Sequence, residues 1–402
     1  MPNIAIIGSL WGDEGKGRTV DYFAKWFVKK GFNPLNVRFS GSNNAAHTVM
    51  LDDKTKHVFH LLGAGSFRNI PTYLSRHVVV DIVALASEID EFKTKCPEYN
   101  STVYIDPRCR LCLPYDVVLN RLKETIRSDS RHGSTGNGLN ECINRHQFAP
   151  VTLYECNFGI YELTKAHLYY LDEITHTLRN VDMSTLPNDL IKLVDFYSRK
   201  NSIKIIHDKI NELIKHPNIK IQRVNLLEYD VIFEGSQGLL LDEYSDHFPY
   251  VTRTRTGTTN IIDICREFYI EVDDIYYVAR PYFSRHGRDE FFDDNSEAVL
   301  EKFNIVDETN IHNDWQESMY FDFFNFEVYE NTINKDFNVF KSLYPKTRDN
   351  RVFTCIDQII NHYKDTYTYD EHIQANKNHL ESKLKHINQY INSIYMFDSP
   401  IN

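Results

Sequence analysis

Apolar residues run unbroken through Ile4, Ala5, Ile6 and Ile7 and stop at Gly8, the pattern of a short strand buried on both faces. A glycine-rich polar stretch follows, and then Val20, Phe23, Ala24 and Phe27 recur at helical spacing within residues 19–29. The chain therefore opens as strand, glycine-rich loop, helix. Further strands are expected at 35–39, 77–83, 219–224, 230–233, 274–278 and 351–356, with helical patterns between most of them. The polar region 334–350 reads as an insertion. The charged helical stretch 370–389 is expected on the outside, before strand-like residues 390–397. This alternation predicts an α/β fold: a large, mostly parallel central sheet flanked by helices, with smaller subdomain insertions and ligands gathered beyond the carboxyl ends of the strands.

Composition narrows the class. With 402 residues, 42% of them hydrophobic, and only 16 Gly and 13 Pro, the chain reads as ordered, with one large elaborated domain over residues 1–402. A net charge of −11 argues against binding a nucleic-acid polymer, so an anionic ligand must meet a local positive site. No apolar run approaches the roughly 20 residues that span a bilayer, which places the protein in the cytoplasm, away from membranes. The seven cysteines are odd in number and scattered. Cys109 and Cys112 form a CxxC without a second pair at zinc-site spacing, so buried free thiols are expected.

The first loop carries chemistry: Gly8-Ser9-Leu10-Trp11-Gly12-Asp13-Glu14-Gly15-Lys16-Gly17-Arg18. Glycines let successive backbone N–H groups converge on phosphate oxygens, a helix N-terminus follows, and Lys16 adds a point charge. The standard nucleotide loop needs Ser or Thr after its Lys, whereas Gly17 stands here. A bland tight turn between strand and helix is the competing account.

The run from Trp11 to Gly17 resembles the signature of adenylosuccinate synthetases. That resemblance implies Asp13 as catalytic base and magnesium ligand, and Lys16 as a catalytic charge with Gly12, Glu14, Gly15 and Gly17 around the nucleoside triphosphate. It continues along most of the chain. Gly41-Ser42-Asn43-Asn44-Ala45-Ala46-His47-Thr48 is similar to the family's Asn-Ala-Gly-His-Thr segment, implying His47 in catalysis, Thr48 beside the triphosphate, Asn44 at the mononucleotide, and the carbonyl of Ala46, where the family has Gly, near Mg2+. Gly133-Ser134-Thr135-Gly136-Asn137-Gly138 resembles the Gly-Thr-Thr-Gly-Arg-Gly loop for the mononucleotide 5′-phosphate, with Asn137 in place of Arg; Ser134 and Thr135 take that role, and Arg145 is the candidate for the arginine that family homodimers send to a partner.

Phe233-Glu234-Gly235-Ser236-Gln237-Gly238 and Phe248-Pro249-Tyr250-Val251-Thr252 imply Gln237 at the purine and Thr252 at its phosphate, followed by Arg253 and Arg255 where the family carries small polar residues. These two arginines are solvated surface charges or replacements for positive charge lost elsewhere. Ser284-Arg285-His286-Gly287 is similar to Thr-Arg-Val-Gly, and Phe353-Thr354-Cys355-Ile356-Asp357 to the segment in which Asp357 reads guanine, with Cys355 replacing Lys.

The family's arginines for the two carboxylates of aspartate are missing: no Arg occurs between Arg288 and Arg348. Thr309, Asn310 and Arg285 are the candidates there, with Arg253, Arg255 or Arg288 as other arginines that could take over, or the amino acid is not ordinary aspartate. The resemblance implies Mg2+- and GTP-dependent (or ATP-dependent) ligation of L-aspartate to IMP through a 6-phosphoryl intermediate. The alternatives are a 2-aminoadenylosuccinate synthetase of viral type acting on dGMP, or a GTP-binding regulatory protein that has lost synthesis.

Overall fold

The computed structural model describes residues 2–128, 134–156, 159–287, 289, 292–303, 305, 319–356, 374, 378, 380–382 and 393–397. Its centre is a nine-stranded sheet of β1 (Ile4–Gly8), β2 (Pro34–Arg38), β3 (Thr72–Leu74), β4 (Val103–Ile105), β5 (Ile219–Ile221), β6 (Asp230–Gly238), β7 (Asp274–Ala279), β8 (Arg348–Phe353) and β9 (Ser393–Met396). The order is β9-β8-β7-β1-β6-β2-β3-β4-β5, and every neighbouring pair is parallel. β1 is central and sandwiched between strands from far along the chain.

Side chains alternate across a strand, and β1 shows what that does. Ile4 and Ile6 join one apolar cluster, Ala5 and Ile7 the other. The first face is covered by α1 (Lys16–Lys29), α2 (Ile82–Lys95), α3 (Pro114–Arg127) and the helices Tyr161–Leu178, Asn188–Ser198 and Asn201–Leu213. The second is covered by Thr259–Phe268 and Phe326–Leu343. Both faces being buried explains why the strands read as continuous apolar runs.

Two expectations need correction. The run 77–83 yields only the two-residue strand Val79–Val80, because the Asp81 carboxylate accepts from the N–H groups of Val83 and Ala84 and so caps α2. The region 334–350 is no insertion: Asn325 caps a helix whose Tyr329, Ile333, Phe337 and Phe340 enter the core, and β8 follows directly. Cys96, Cys109, Cys112, Cys142, Cys265 and Cys355 are buried free thiols.

No helix among the described residues is long and apolar enough to cross a membrane.

Candidate active site

The loops that follow β1, β2, β6, β7 and β8 converge at the carboxyl edge of the sheet. Gly15, with φ +88°, forms the N-cap of α1 and leaves the helix N-terminus without a side-chain cap. Its position has no room for another residue: a Cβ there would lie 2.6 Å from Thr354 Cγ2, while Thr354 Oγ1 donates to the Glu14 carbonyl at 2.8 Å. Asp13 also adopts a left-handed conformation, φ +55°, which turns its carboxylate outward to within 3.6 Å of His286 Nε2.

Lys16 is buried and has no hydrogen-bond partner among the described residues. Burial lowers its pKa against the pull of Glu14 and Asp13. Burial likewise pushes the Glu14 carboxyl up to about 7, opposed by Lys16. Glu14 Oε1 accepts from Leu10 N at 2.6 Å, and Oε2 is buried without a partner. Burial destabilises both charges, and a polyphosphate with its counter-cation would relieve that cost for Lys16.

His47 begins the hairpin strand His47–Met50. A Cβ on Gly17 would sit 2.9 Å from His47 Cβ, so glycine is what lets α1 come down onto the histidine. His47 Nδ1 is 2.5 Å from Glu234 Oε1, and Nε2 is 3.1 Å from the Ser236 carbonyl. Both nitrogens face acceptors, so protonation would satisfy both, yet burial dominates and lowers the imidazole pKa despite Glu234. Glu234 is itself held below the usual carboxylate range: burial raises its pKa, but Arg38, His47 and the N–H of Ala64 outweigh it. Arg38 is the register partner of Glu234 on β2 and donates to Ser236 Oγ at 3.0 Å.

The mononucleotide candidates form a second group. Asn120 Oδ1 on α3 accepts from Ser134 Oγ at 2.9 Å and from Gly138 N at 3.2 Å, pinning the loop. Asn137 Nδ2 donates to the Asn43 carbonyl at 3.3 Å, joining this loop to the Asn44–Thr48 segment. Gln237 Oε1 and Thr252 Oγ1 are buried and unpartnered, the state expected of atoms awaiting a polar ligand.

Arg145 is a correction. Its Nε donates to Asp116 Oδ1 at 2.8 Å, and its other nitrogens to Asp116 Oδ2 and the carbonyls of Leu111 and Ala149. The guanidinium is fully buried and serves the α3–α4 junction (α4, Leu139–His146), so it reaches neither a mononucleotide nor a partner. It also accounts for the buried group of Cys112, Asp116 and Cys142, where it already supplies the positive charge a metal would bring. Arg285 is buried too; it donates to the Tyr250 carbonyl at 2.7 Å and pairs with Asp289 at 3.2 Å. Gly133, Arg288, Thr309, Asn310 and Asp357 lie outside the described residues.

For a divalent cation the fitting donors are oxygens. The Asp13 carboxylate keeps 24% of its side-chain surface exposed, and Ala46 is exposed, so both can offer one.

Glu234, Arg38 and His286 were missed as functional residues by sequence reasoning. The signal for the first two was present: Arg38 closes the buried strand β2, and Glu234 follows the apolar run Val231–Phe233 in β6.

The adenylosuccinate synthetase family model matches residues 5–309. Adenylosuccinate synthetases of Ruthia magnifica and Clostridium perfringens are each 28% identical, over 292 and 302 residues, covering 71% and 72% of this chain and 62% and 65% of those proteins. The chain thus spans about three-fifths of the length of the curated relatives it matches. Among solved structures, fully ligated adenylosuccinate synthetase from Plasmodium falciparum superposes with a TM-score of 0.58 at 18% identity, covering 89% of this chain and 78% of that one. The succinoaminodeoxyadenylate synthetase of cyanophage S-2L, bound to dGMP and dATP, gives 0.53 at 13% identity, covering 98% and 91%. Those two share the fold. Phosphate loop, buried histidine and the matched 5–309 segment agree, and the chain belongs to the adenylosuccinate synthetase family.

Proposed function

We propose that this protein is a C–N ligase that uses GTP to join L-aspartate to carbon 6 of IMP. The observation that carries the reading is the packing of Gly17 against His47, which puts the glycine-rich loop and an imidazole oriented by Glu234 at one place. Simple nucleotide binding needs no such histidine.

Asp13 takes the proton from purine N1, and the 6-oxygen attacks the γ-phosphate. Lys16 and the α1 N-terminus hold the triphosphate, and His47 stabilises the charge developing on the 6-oxygen. The amino group of aspartate then attacks carbon 6, and the phosphoryl group leaves. Mg2+, held by Asp13 and the Ala46 carbonyl, would neutralise phosphate charge. Gln237 faces the purine, and Ser134, Thr135, Asn44 and Thr252 its phosphate. A cytoplasmic homodimer is the form we expect.

A second reading, dGMP in place of IMP, is favoured by the cyanophage neighbour, which is described as bound to dGMP. The test is a matrix of purified protein with Mg2+, GTP or ATP, IMP or dGMP, and aspartate, read by mass spectrometry. Succinyl-AMP supports the first reading, and product from dGMP alone moves the chain to the second. GTP binding without product from any pair rejects both and leaves a regulatory GTP-binding protein.

A further inference from the structure

The phosphate end of the mononucleotide site has a positive charge in an unexpected place. Asn137 stands where the related loop has Arg, and Arg145 is locked onto Asp116. Arg121 donates its Nε to the Gly136 carbonyl at 3.2 Å and so supports the loop through its backbone. Arg253 is different. It is half-buried, its Nη1 donates to Asn140 Oδ1 at 3.2 Å, and it forms no ion pair among the described residues.

Three neighbours make this position an anion site. Asn140 lies in the first turn of α4, whose N-terminus has no side-chain cap. Thr252, next in the chain to Arg253, holds a buried hydroxyl oxygen without a partner. Thr254 Oγ1 accepts from Gly41 N at 3.3 Å, so the segment 252–254 bridges the loop at Gly41 and the loop that ends at Gly138. A guanidinium with one neutral amide partner keeps donors in its planar fork that an anion can take up.

We propose that Arg253 binds the 5′-phosphate of the mononucleotide, together with Thr252 and the Ser134–Gly138 loop. This rests on the mononucleotide reading above. Arg255 does not share the role: it pairs with Asp242 at 3.0 Å and lies over the Tyr244 ring.

The test is calorimetric binding of IMP and dGMP, and of inosine and deoxyguanosine, which lack the phosphate, to the full chain and to Arg253→Ala and Arg253→Lys. Loss of one charge-assisted contact predicts mononucleotide affinity about 10- to 100-fold weaker in Arg253→Ala. Nucleoside and GTP affinities stay unchanged, and Arg253→Lys recovers part of the loss. Equal weakening of mononucleotide and nucleoside, or no weakening at all, overturns the assignment; loss on Arg121→Ala alone transfers it. If the wild-type chain binds neither mononucleotide, the functional reading falls and this assignment with it, whereas wild-type binding that Arg253→Ala leaves intact overturns this assignment alone.

Discussion

Glu234 on β6 holds His47 by a 2.5 Å contact to Nδ1, and Arg38, its register partner on β2, keeps Glu234 ionised. Three polar side chains thus form a chain across two buried strands, ending at the proposed transfer site. Glu234→Gln keeps the shape and removes the charge that fixes the imidazole. We expect kcat to fall on the order of 10²-fold, with the KM for GTP little changed, in steady-state kinetics. An unchanged kcat removes Glu234 from any positioning role.

Gly17 is where the loop helix touches His47. Adding a methyl group in Gly17→Ala must push α1 and the hairpin apart by several tenths of an ångström, because the new Cβ would sit 2.9 Å from His47 Cβ. Misplacement on this scale lowers kcat by roughly 10²-fold, while circular dichroism and the melting temperature stay close to wild type. Gly15→Ala, strained by φ +88° and blocked by Thr354, should abolish GTP binding, which equilibrium dialysis reads directly.

Arg145 gives a contrast. Arg145→Met leaves Asp116 buried without its ion pair, which typically costs about 3–5 kcal/mol. Urea titration should show that loss, and the protein that remains folded should keep its KM for the mononucleotide. A selective rise in that KM would return Arg145 to the site.

Acid should weaken the fold through His57. Enclosed by Phe59 and Phe92, its imidazole is pushed down to about 4, by burial first and then by Lys95. Unfolded, it takes a proton near pH 6.5. The folded pKa is the lower one, so the contribution is full above 6.5 and is lost as pH falls from there towards 4, about 1–2 kcal/mol between pH 7 and 5. Melting curves of wild type and His57→Gln at the two pH values should show a shallower pH slope in the variant.

Much of this was legible in the sequence, for identifiable reasons. β1 is apolar on both faces, β2, β6 and β7 each hold a short apolar stretch, and the loop between β1 and α1 advertises itself by glycines that only a special backbone needs. β3 and β4 escaped notice because each is a three-residue stretch that is not part of a longer apolar or alternating run, whereas the equally short β5 lies within the run 219–224. The helix Phe326–Leu343 was hidden by the polar residues on its outer face. In the site, Asp13, Lys16, His47 and Gln237 carried recognisable motifs. Arg145 was chosen by its place after the Ser134–Gly138 loop, whereas Asp116, 29 positions earlier, holds its side chain. Such long-range pairing leaves no local pattern.

The central place of β1 has a consequence for the chain's own birth. Ile4 is paired with Ile232 on one side and Asp274 on the other, and at 5–20 residues per second β7 emerges roughly 15–55 s after β1. β6 emerges before β7, so one edge of β1 can close first while the other stays open until β7 arrives. For as long as that edge is bare, this apolar strand is an aggregation hazard during synthesis.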